Sequence, residues 1–308
     1  MTRDGLRRAS PAKSRQPRWH MPCTTVSMAL TDHTNMDLWS LPVREYMSSS
    51  LVAVEPDTLL GDAQATLERR GISAAPVIDA TGELVGIIST TDILRVARIE
   101  MQSPQALARV WPPPHRVRDV MRRDVVTIDV DTLVGEAAVR MVRHGIHRLI
   151  VTHDDRPISV VSARDAMRAI VEARITAPLS RVMTTDVKSL LIGDTIDCAV
   201  GELADANVHG LVVLDGSWPV GVFTQHEAIK ARALPPAVRK TAVEQIMSYE
   251  TLCHNVQTPL FRVAGQSMSM NVRRILAVDD RRLVGIATGL DLMRFMAGEP
   301  TNGERLAS

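Results

Sequence analysis

The sequence predicts a mixed α/β protein (α+β) built from four copies of one unit, each with the order strand, helix, strand, strand, helix. Four segments open alike, at VREYM, VRDVM, LSRVM and VEQIM, and four segments close with a Ser or Thr three residues ahead of an acid. The interval from the opening methionine to the acid is 45 residues in the first unit, from Met47 to Asp92, and 44 in each of the other three. So regular an interval is typical of a repeat architecture.

Each unit carries the same succession of patterns. A short β-rich run such as LVAV follows the methionine, and an amphipathic stretch comes next. In the second unit this stretch places five apolar residues on one helical stripe: Val134, Ala137, Ala138, Met141 and Val142. Two apolar runs then flank a turn, as APVI and LVGII flank DATGE, which predicts a hairpin. The closing motif predicts a second helix, because its Ser or Thr and its acid can form a capping box.

The units are expected to pack in pairs, since one unit alone exposes a sheet face that another layer must cover. The predicted first pair is 41–174, with repeats 41–98 and 115–174, and the second is 177–298, with repeats 177–234 and 240–298. The segments VWPPPH and RALPPAV lie between repeats as predicted linkers. Residues 1–40 are predicted to form a disordered basic tail, and residues 299–308 a C-terminal tail.

Composition limits the function classes. The chain has 36 basic and 35 acidic residues, so its overall charge favours neither nucleic acid nor an anionic membrane as a partner. Three scattered cysteines are typical of a reducing compartment, and no apolar run approaches the roughly 18 residues of a membrane helix. We therefore expect a cytoplasmic protein without a membrane contact. The basic tail leaves nucleic-acid binding as a weaker alternative.

With these repeats the chain resembles the CBS domain family, whose members pair into Bateman modules. The segments that carry the resemblance are the leading VM, the stretches GISAAPVID and GIHRLIV, and the closing pattern of glycine, two apolar residues, Ser or Thr, and the acid. The resemblance covers about 41–298. It implies a stand-alone regulatory protein that binds AMP, ADP, ATP or S-adenosylmethionine in clefts between paired repeats.

The resemblance also implies which residues bind the ligand. The acid would hold the ribose hydroxyls, the Ser or Thr would lie near the ribose or phosphates, and a His-Arg pair would contact phosphate. The candidate nucleotide-binding residues are Ser89, Asp92, His147, Arg148, Ser162, Asp165, Thr224, Arg273, Arg274, Thr288 and Asp291. The candidate adenine slot is formed by Ile72, Ala74, Ala75 and Pro76. The chemistry is suitable, because a carboxylate accepts from both hydroxyls of a diol and a guanidinium matches phosphate oxygens.

The four candidate sites are not equally equipped. In the family the acid of one repeat shares its ligand with the basic pair of the partner repeat, which combines Ser89 and Asp92 with His147 and Arg148 into the best site. By the same rule Asp165 faces Ser73 and Ala74 without a cation.

Asp291 faces His209 and Gly210. The third unit has Glu227 in place of Asp, facing Arg273 and Arg274. Capping alone is favoured there, because Glu is the better capping-box residue.

Catalysis is not expected. The segment QHEAIK (225–230) lacks the second histidine of a HExxH zinc motif, and HGIH (144–147) has no evident third ligand. We expect no enzyme activity, no metal and no required cofactor. The expected function is an energy-sensing regulator of an unknown protein partner, active as a homodimer or an internally paired monomer. The alternative is a structural scaffold of the same fold whose pockets no longer bind.

Overall fold

The computed structural model describes residues 38–48, 50–100, 109–206 and 208–299, and four units follow one another within them. The first unit contains α1 (Leu60–Arg70), β1 (Ala74–Ile78), β2 (Leu84–Ser89) and α2 (Thr90–Val96), and an insert then contains β3 (Arg98–Glu100) and β4 (Arg109–Trp111). The second unit contains α3 (Val117–Val120), β5 (Thr127–Asp129), α4 (Val134–His144), β6 (Arg148–His153), β7 (Arg156–Ser162) and α5 (Ala163–Glu172).

The third unit contains β8 (Ser189–Leu191), α6 (Ile196–Asp205), β9 (Gly210–Asp215), β10 (Trp218–Thr224) and α7 (Gln225–Ala231), and α8 (Pro236–Arg239) follows it. The fourth unit contains β11 (Leu252–Asn255), α9 (Leu260–Met270), β12 (Arg274–Asp279), β13 (Arg282–Thr288) and α10 (Gly289–Met296). Short 3-10 helices lie at Leu38–Ser40, Val43–Glu45, Leu179–Arg181 and Val243–Gln245.

The predicted α/β fold class is confirmed by small mixed sheets. In the second, third and fourth units a short first strand pairs in parallel with the middle strand, which pairs in antiparallel fashion with the last: β5-β6-β7, β8-β9-β10 and β11-β12-β13. In the first unit the predicted strand LVAV is reduced to a single bridge from Val54 to Val77 beside the β1–β2 hairpin.

The 11-residue helices of three units, α1, α4 and α9, end in the same way. Gly71, Gly145 and Asn271 follow α1, α4 and α9 with φ of 61°, 62° and 54°. Glycine and asparagine are the residues that adopt this left-handed conformation most readily, so they stop the helix and turn the chain into the next strand. In α4 the predicted stripe is confirmed, because Val134, Ala137, Ala138 and Met141 are buried.

The opening segments are exchanged between units. The segment ahead of the second unit pairs with the first unit, where Arg122 and Ile87 exchange both backbone hydrogen bonds at 2.9 Å. The segment ahead of the first unit contacts the second unit in turn, because Ser48 N–H donates to the carbonyl of Val160 at 3.1 Å. We call these two units the N-terminal pair.

The third and fourth units make the same reciprocal exchange. Thr184 pairs with Ile286 of the fourth unit, and Ser248 pairs with Val222 of the third. We call these two units the C-terminal pair. Each opening segment therefore completes the sheet surface of the other unit in its pair.

The second and fourth units share one hydrophobic core. Helix α5 packs on α9, and α10 packs on both α4 and α5. The core there includes Ile170, Leu292 and Met293, all with 0% exposure. Arg164 adds hydrogen bonds to the Asn271 side chain and to the carbonyl of Met268. We call this region the closed contact.

The first and third units meet differently. Each has its own core cluster, and α2 packs against α7 between them. The insert between the first and second units contains the antiparallel strand pair β3–β4, which we call the arm, and its Ile99 packs against the core of the third unit. We call this region, formed by α2, α7 and the arm, the open contact.

Two further sequence predictions fall at the ends of the chain. Most of the predicted tails, residues 1–37 and 300–308, lies outside the described residues, but Trp39 in the first 3-10 helix packs against the core of the closed contact.

Among the helices of the described ranges, none is both long enough and apolar enough to cross a bilayer.

Candidate functional site

The closing motif forms a capping box in all four units. In the first, one oxygen of Asp92 accepts from the backbone N–H and the hydroxyl of Ser89. The same two bonds join Asp165 to Ser162, Glu227 to Thr224 and Asp291 to Thr288. These bonds satisfy backbone donors that a helix start leaves unpaired, so capping is one role of every motif.

The glycine of the motif has a packing role. A Cβ at Gly86 would lie 2.6 Å from the Met121 sulfur and 2.8 Å from the carbonyl oxygen of Arg122. Gly221 and Gly285 meet Met247 and Met183 in the same way. The motif glycine therefore admits the exchanged opening segment of the partner unit.

In the second unit Ser159 replaces this glycine. Its side chain is buried, and its hydroxyl donates to the carbonyl of Ser48 at 2.6 Å. The serine therefore forms a hydrogen bond with the same opening segment that the glycines meet by close packing.

The second oxygens of two acids also have protein partners. Asp92 Oδ1 accepts from Arg122 Nε at 3.2 Å and lies 3.6 Å from Arg95 Nη1. Asp291 Oδ1 accepts from Arg294. Sequence reasoning did not identify Arg122, although it directly follows the exchanged Met121.

Basic side chains of the second and fourth units meet at a serine of the first unit. Arg148 Nη2 donates to Ser73 Oγ at 2.6 Å, and Arg273 Nη2 donates to the same oxygen at 3.1 Å. Arg148 belongs to the N-terminal pair and Arg273 to the C-terminal pair, so one neutral hydroxyl lies between two guanidinium groups of different pairs. His147 and His209 occupy the position equivalent to Ser73 in their own units. We call Ser73, His147, Arg148, His209 and Arg273 the central cluster.

The electrostatics of the central cluster are dominated by positive charge. Burial lowers the pKa of the His147 imidazole, and the charges of Arg148, Arg273 and His209 lower it further, while Asp291 acts in the opposite direction. Burial and Arg273 also lower the pKa of the Arg148 guanidinium. The cluster therefore keeps His147 neutral near pH 7 and would gain from a bound anion.

The surroundings of Asp165 differ from the expectation. Asp165 was expected to face Ser73 without a cation, but Arg148 contacts Ser73 and interacts electrostatically with Asp165. The expectation of no cation there is wrong, because the Arg148 side chain of the same unit reaches across.

The two arginines of the fourth unit, Arg273 and Arg274, lie in different surroundings. Arg274 Nε lies 3.5 Å from the Cβ position of Gly210, where Thr224 Cγ2 lies at 3.3 Å. Burial lowers the pKa of the Arg274 guanidinium, and the charge of Glu227 opposes that shift. Arg273 extends to the central cluster instead.

The predicted adenine slot lies on and before β1. Ile72 and Ala74 are partly exposed, whereas Ala75 and Pro76 are buried, and the Pro76 carbonyl already accepts from Val54 N–H at 3.1 Å. The residues that precede β1 in the first unit line a cavity of about 650 Å³: Ser50, Leu51, Val52, Ala53, Thr66, Arg69 and Arg70. Its volume lies within the range of about 300–1,000 Å³ typical of small-molecule pockets.

Comparison with known proteins identifies the class of this protein. The CBS domain model matches residues 43–98, 117–172 and 179–234, which together make up more than half of the chain. The chain belongs to the CBS domain family. The fourth unit repeats the element order but lies outside the three matched ranges.

Individual proteins of the same architecture can be named. The structure of MJ1225 from Methanocaldococcus jannaschii, described as a candidate archaeal homolog of g-AMPK, aligns with a TM-score of 0.66 at 19% identity and covers 83% of this chain and 100% of its own. A protein of Pyrococcus horikoshii aligns with a TM-score of 0.60 at 18% identity, with the same coverage of both chains. At these identities the likeness establishes the fold alone.

The curated relatives match in part. The uncharacterized protein MJ1404 of Methanocaldococcus jannaschii is 24% identical over 276 residues, which are 83% of this chain and 62% of that protein. The A-adding tRNA nucleotidyltransferase of Aquifex aeolicus is 30% identical over 132 residues, which are 43% of this chain and 15% of the enzyme. The chain thus spans less than two thirds of either relative.

Proposed function

We propose that this protein is a non-catalytic, cytoplasmic regulator with four CBS repeats, the fourth unit included. It binds adenosine nucleotides such as AMP, ADP or ATP, or else S-adenosylmethionine, between paired units. Occupancy changes the arrangement of the units and thereby biases a protein partner, since a ligand shifts an equilibrium only by binding two states differently. A homodimer and an internally paired monomer both fit this role.

The central cluster is the observation that carries the proposal. Two guanidinium groups that share one neutral acceptor repel each other, and an anion between them would remove that repulsion. Arg148 begins β6 and pairs with Ser162, the cap of α5, so a phosphate held there also lies near a helix start. Phosphate groups of a nucleotide supply the required charge.

The acids supply the ribose contact in this proposal. Asp92 is about 6% exposed and Asp291 about 7%, so each is a largely desolvated acceptor at the start of a helix. A ribose at Asp92 would compete with Arg122 for Oδ1, which offers a way for ligand to loosen the exchanged segment. The description of MJ1225 as a candidate g-AMPK homolog supports the adenosine class of ligand.

Calorimetric titration with adenosine, AMP, ADP, ATP and S-adenosylmethionine tests the proposal. We expect AMP to bind more tightly than adenosine, and Arg148→Gln to abolish that difference because the guanidinium no longer meets the phosphate. Binding of no ligand, or an unchanged preference for AMP in the variant, would contradict the phosphate assignment.

Asp92 has a matched control within the chain. Asp92→Ala removes both capping and ribose binding, whereas Asp92→Glu should keep the capping box, because Glu227 makes the same two bonds at its own site. We expect Asp92→Glu to retain the melting temperature and to weaken the tightest site by about tenfold. Unchanged affinity would exclude Asp92 as the ribose ligand.

A structural scaffold is the second candidate function. It is favoured by the fact that both oxygens of Asp92 and of Asp291 already have protein partners. In that case freshly purified protein releases no nucleotide detectable by mass spectrometry, and none of the five ligands shifts its melting temperature.

A further inference from the structure

The open contact contains a groove that the nucleotide site does not include. Its volume is about 230 Å³, and it is lined by residues of α2, of α7 and of the chain that follows each helix: Leu94, Arg95, Ala97, Ile99, Ile229, Arg232 and Ala233. Five of these seven side chains are apolar. The groove therefore lies between the first and third units, with an arginine from each of them.

The internal repeat explains why the groove is present. The positions equivalent to Leu94 and Ile229 are Met167 and Met293, both buried in the closed contact. The remaining equivalents differ in size or charge: Ala97 stands where the second unit has Ile170, and Arg232 stands where the fourth has Met296.

The helices differ in length too. Helix α2 has seven residues, whereas its equivalent α5 has ten. The open contact thus lacks the apolar volume that closes the other one.

The size of the groove limits its occupant. A volume of about 230 Å³ is below the range of about 300–1,000 Å³ of small-molecule pockets, so a whole nucleotide does not fit. One large side chain does, and a buried apolar anchor that fills a pocket is the usual centre of a protein interface. Val96 and Trp111, which are 41% and 54% accessible, are exposed apolar side chains at the base of the arm.

The charges at the groove select the sequence around that side chain. Arg95 is about half exposed and lies 3.6 Å from Asp92, beyond hydrogen-bond distance. Arg232 is exposed at the end of α7. Two exposed guanidinium groups at a groove with five apolar side chains in its lining are complementary to carboxylates that flank an apolar residue.

We propose that the groove of the open contact binds an acidic segment of a partner protein through one large apolar side chain of that segment. The two arginines hold flanking carboxylates. Because Arg95 lies between the groove and Asp92, a docked carboxylate would draw this guanidinium away from the acid that is proposed to hold the ribose, so docking and nucleotide binding are coupled. This last coupling, unlike the docking itself, rests on the proposed nucleotide function.

Selection from a displayed library of random twelve-residue peptides tests the docking. The full chain is the target, and the double variant Ala97→Ile/Arg232→Met, which copies the residues of the closed contact, is the counter-target. We expect the enriched peptides to share a large apolar residue flanked by Asp or Glu. Failure to enrich any peptide, or peptides that bind both proteins equally, would overturn the proposal.

Single variants then measure the charge contribution with one enriched peptide labelled for fluorescence anisotropy. Arg232→Gln should weaken binding by about tenfold and reduce its dependence on salt, while Lys240→Gln, at an exposed position outside the groove, should leave both unchanged. Equal effects of the two variants would contradict the groove. Self-association of the full chain that disappears in the double variant would identify a second copy as the occupant and overturn the acidic partner.

The coupling has its own outcomes. If AMP binds but leaves the affinity for the peptide unchanged, the shared use of Arg95 is wrong and the docking stands. If no nucleotide binds while the peptide does, the proposed nucleotide function fails and the groove remains as an independent interface.

Discussion

The closed and open contacts join equivalent helices of the repeat, yet they differ in packing. In the closed contact α4, α5, α9 and α10 contribute to one core, with Ile170 and Met293 at 0% exposure. In the open contact α2 and α7 leave a groove, and the arm fills part of the interface with Ile99. Repetition of an element order therefore does not repeat the interface between units, because a few changes in side-chain volume decide whether two helices share a core.

The closed contact contributes more to the stability of the fold, whereas the open contact is more accessible to a partner. Separating the helices of a filled core requires much free energy, since each buried methylene group contributes about 0.8 kcal/mol to its stability. A partly filled contact with exposed arginines opens at lower cost and is available to a partner. We expect relative motion of the N-terminal and C-terminal pairs to be greatest at the open contact.

The largest expected effect compares one position in the two contacts. Met293→Ala should lower the free energy of unfolding by about 2–5 kcal/mol, because it leaves a cavity in the closed contact. Ile229→Ala, at the equivalent position beside the groove, should cost clearly less, since its surroundings are only partly packed. Urea denaturation measures both, and equal losses would contradict the distinction between the contacts.

A glycine in the closed contact gives the next effect. A Cβ at Gly289 would lie 3.1 Å from Met167 Cε and 3.2 Å from Ala163 Cβ, so α10 and α5 approach closely there. We expect Gly289→Ala to destabilise the chain by about 1 kcal/mol. Gly201→Ala within α6 is the control, because no heavy atom lies within 4 Å of its Cβ position and alanine favours the helix. A stabilising Gly289→Ala would show that the closed contact has spare room.

Filling the groove should make the open contact resemble the closed one. Ala97→Ile adds three carbons beside Ile99, and we expect a gain of about 0.5–1 kcal/mol in the free energy of unfolding. Ala80→Ile, at an exposed position in the β1–β2 turn, is the control and should give no gain. A loss of stability on Ala97→Ile would mean that the groove cannot accept apolar volume.

The smallest expected effect comes from protonation of His147 in the central cluster, where the two pairs meet. The pKa of His147 is lowered in the folded chain, so the unfolded chain binds this proton more tightly. The free energy of unfolding should therefore fall as the pH drops below the ordinary histidine value of 6.5, and the fall should end below the lowered folded pKa. Thermal unfolding between pH 7.5 and 5 measures it, and an identical pH profile in His147→Asn would exclude His147 as its source.

Much of the fold could be predicted because its signals are local. The α4 stripe, the Ser and Thr caps and the hairpin turns each depend on residues a few positions apart. The arm was missed because Pro112, Pro113 and Pro114 are typical of a linker, while the short strands before them carry little periodicity. The missing first strand of the first unit was likewise not visible in LVAV.

The candidate site was predictable only in its parts. The candidate residues lie at or next to the starts of β1, β6 and β12 and at the starts of α2, α5, α7 and α10. Their partners were not predictable, because Arg122 reaches Asp92 through an exchanged segment and Arg273 reaches Ser73 across 200 positions in the sequence.

The amino-acid sequence by itself determined four units with nearly the same internal spacing and the α/β class, because spacing and periodicity depend on residues close together in the chain, and its motifs indicated the family. Only the tertiary structure decided which helices merge into one core, which leave a groove, and which arginines meet at one serine. Those outcomes depend on the summed volumes and charges of side chains that are distant in sequence, and such sums are fixed only when the units pack together.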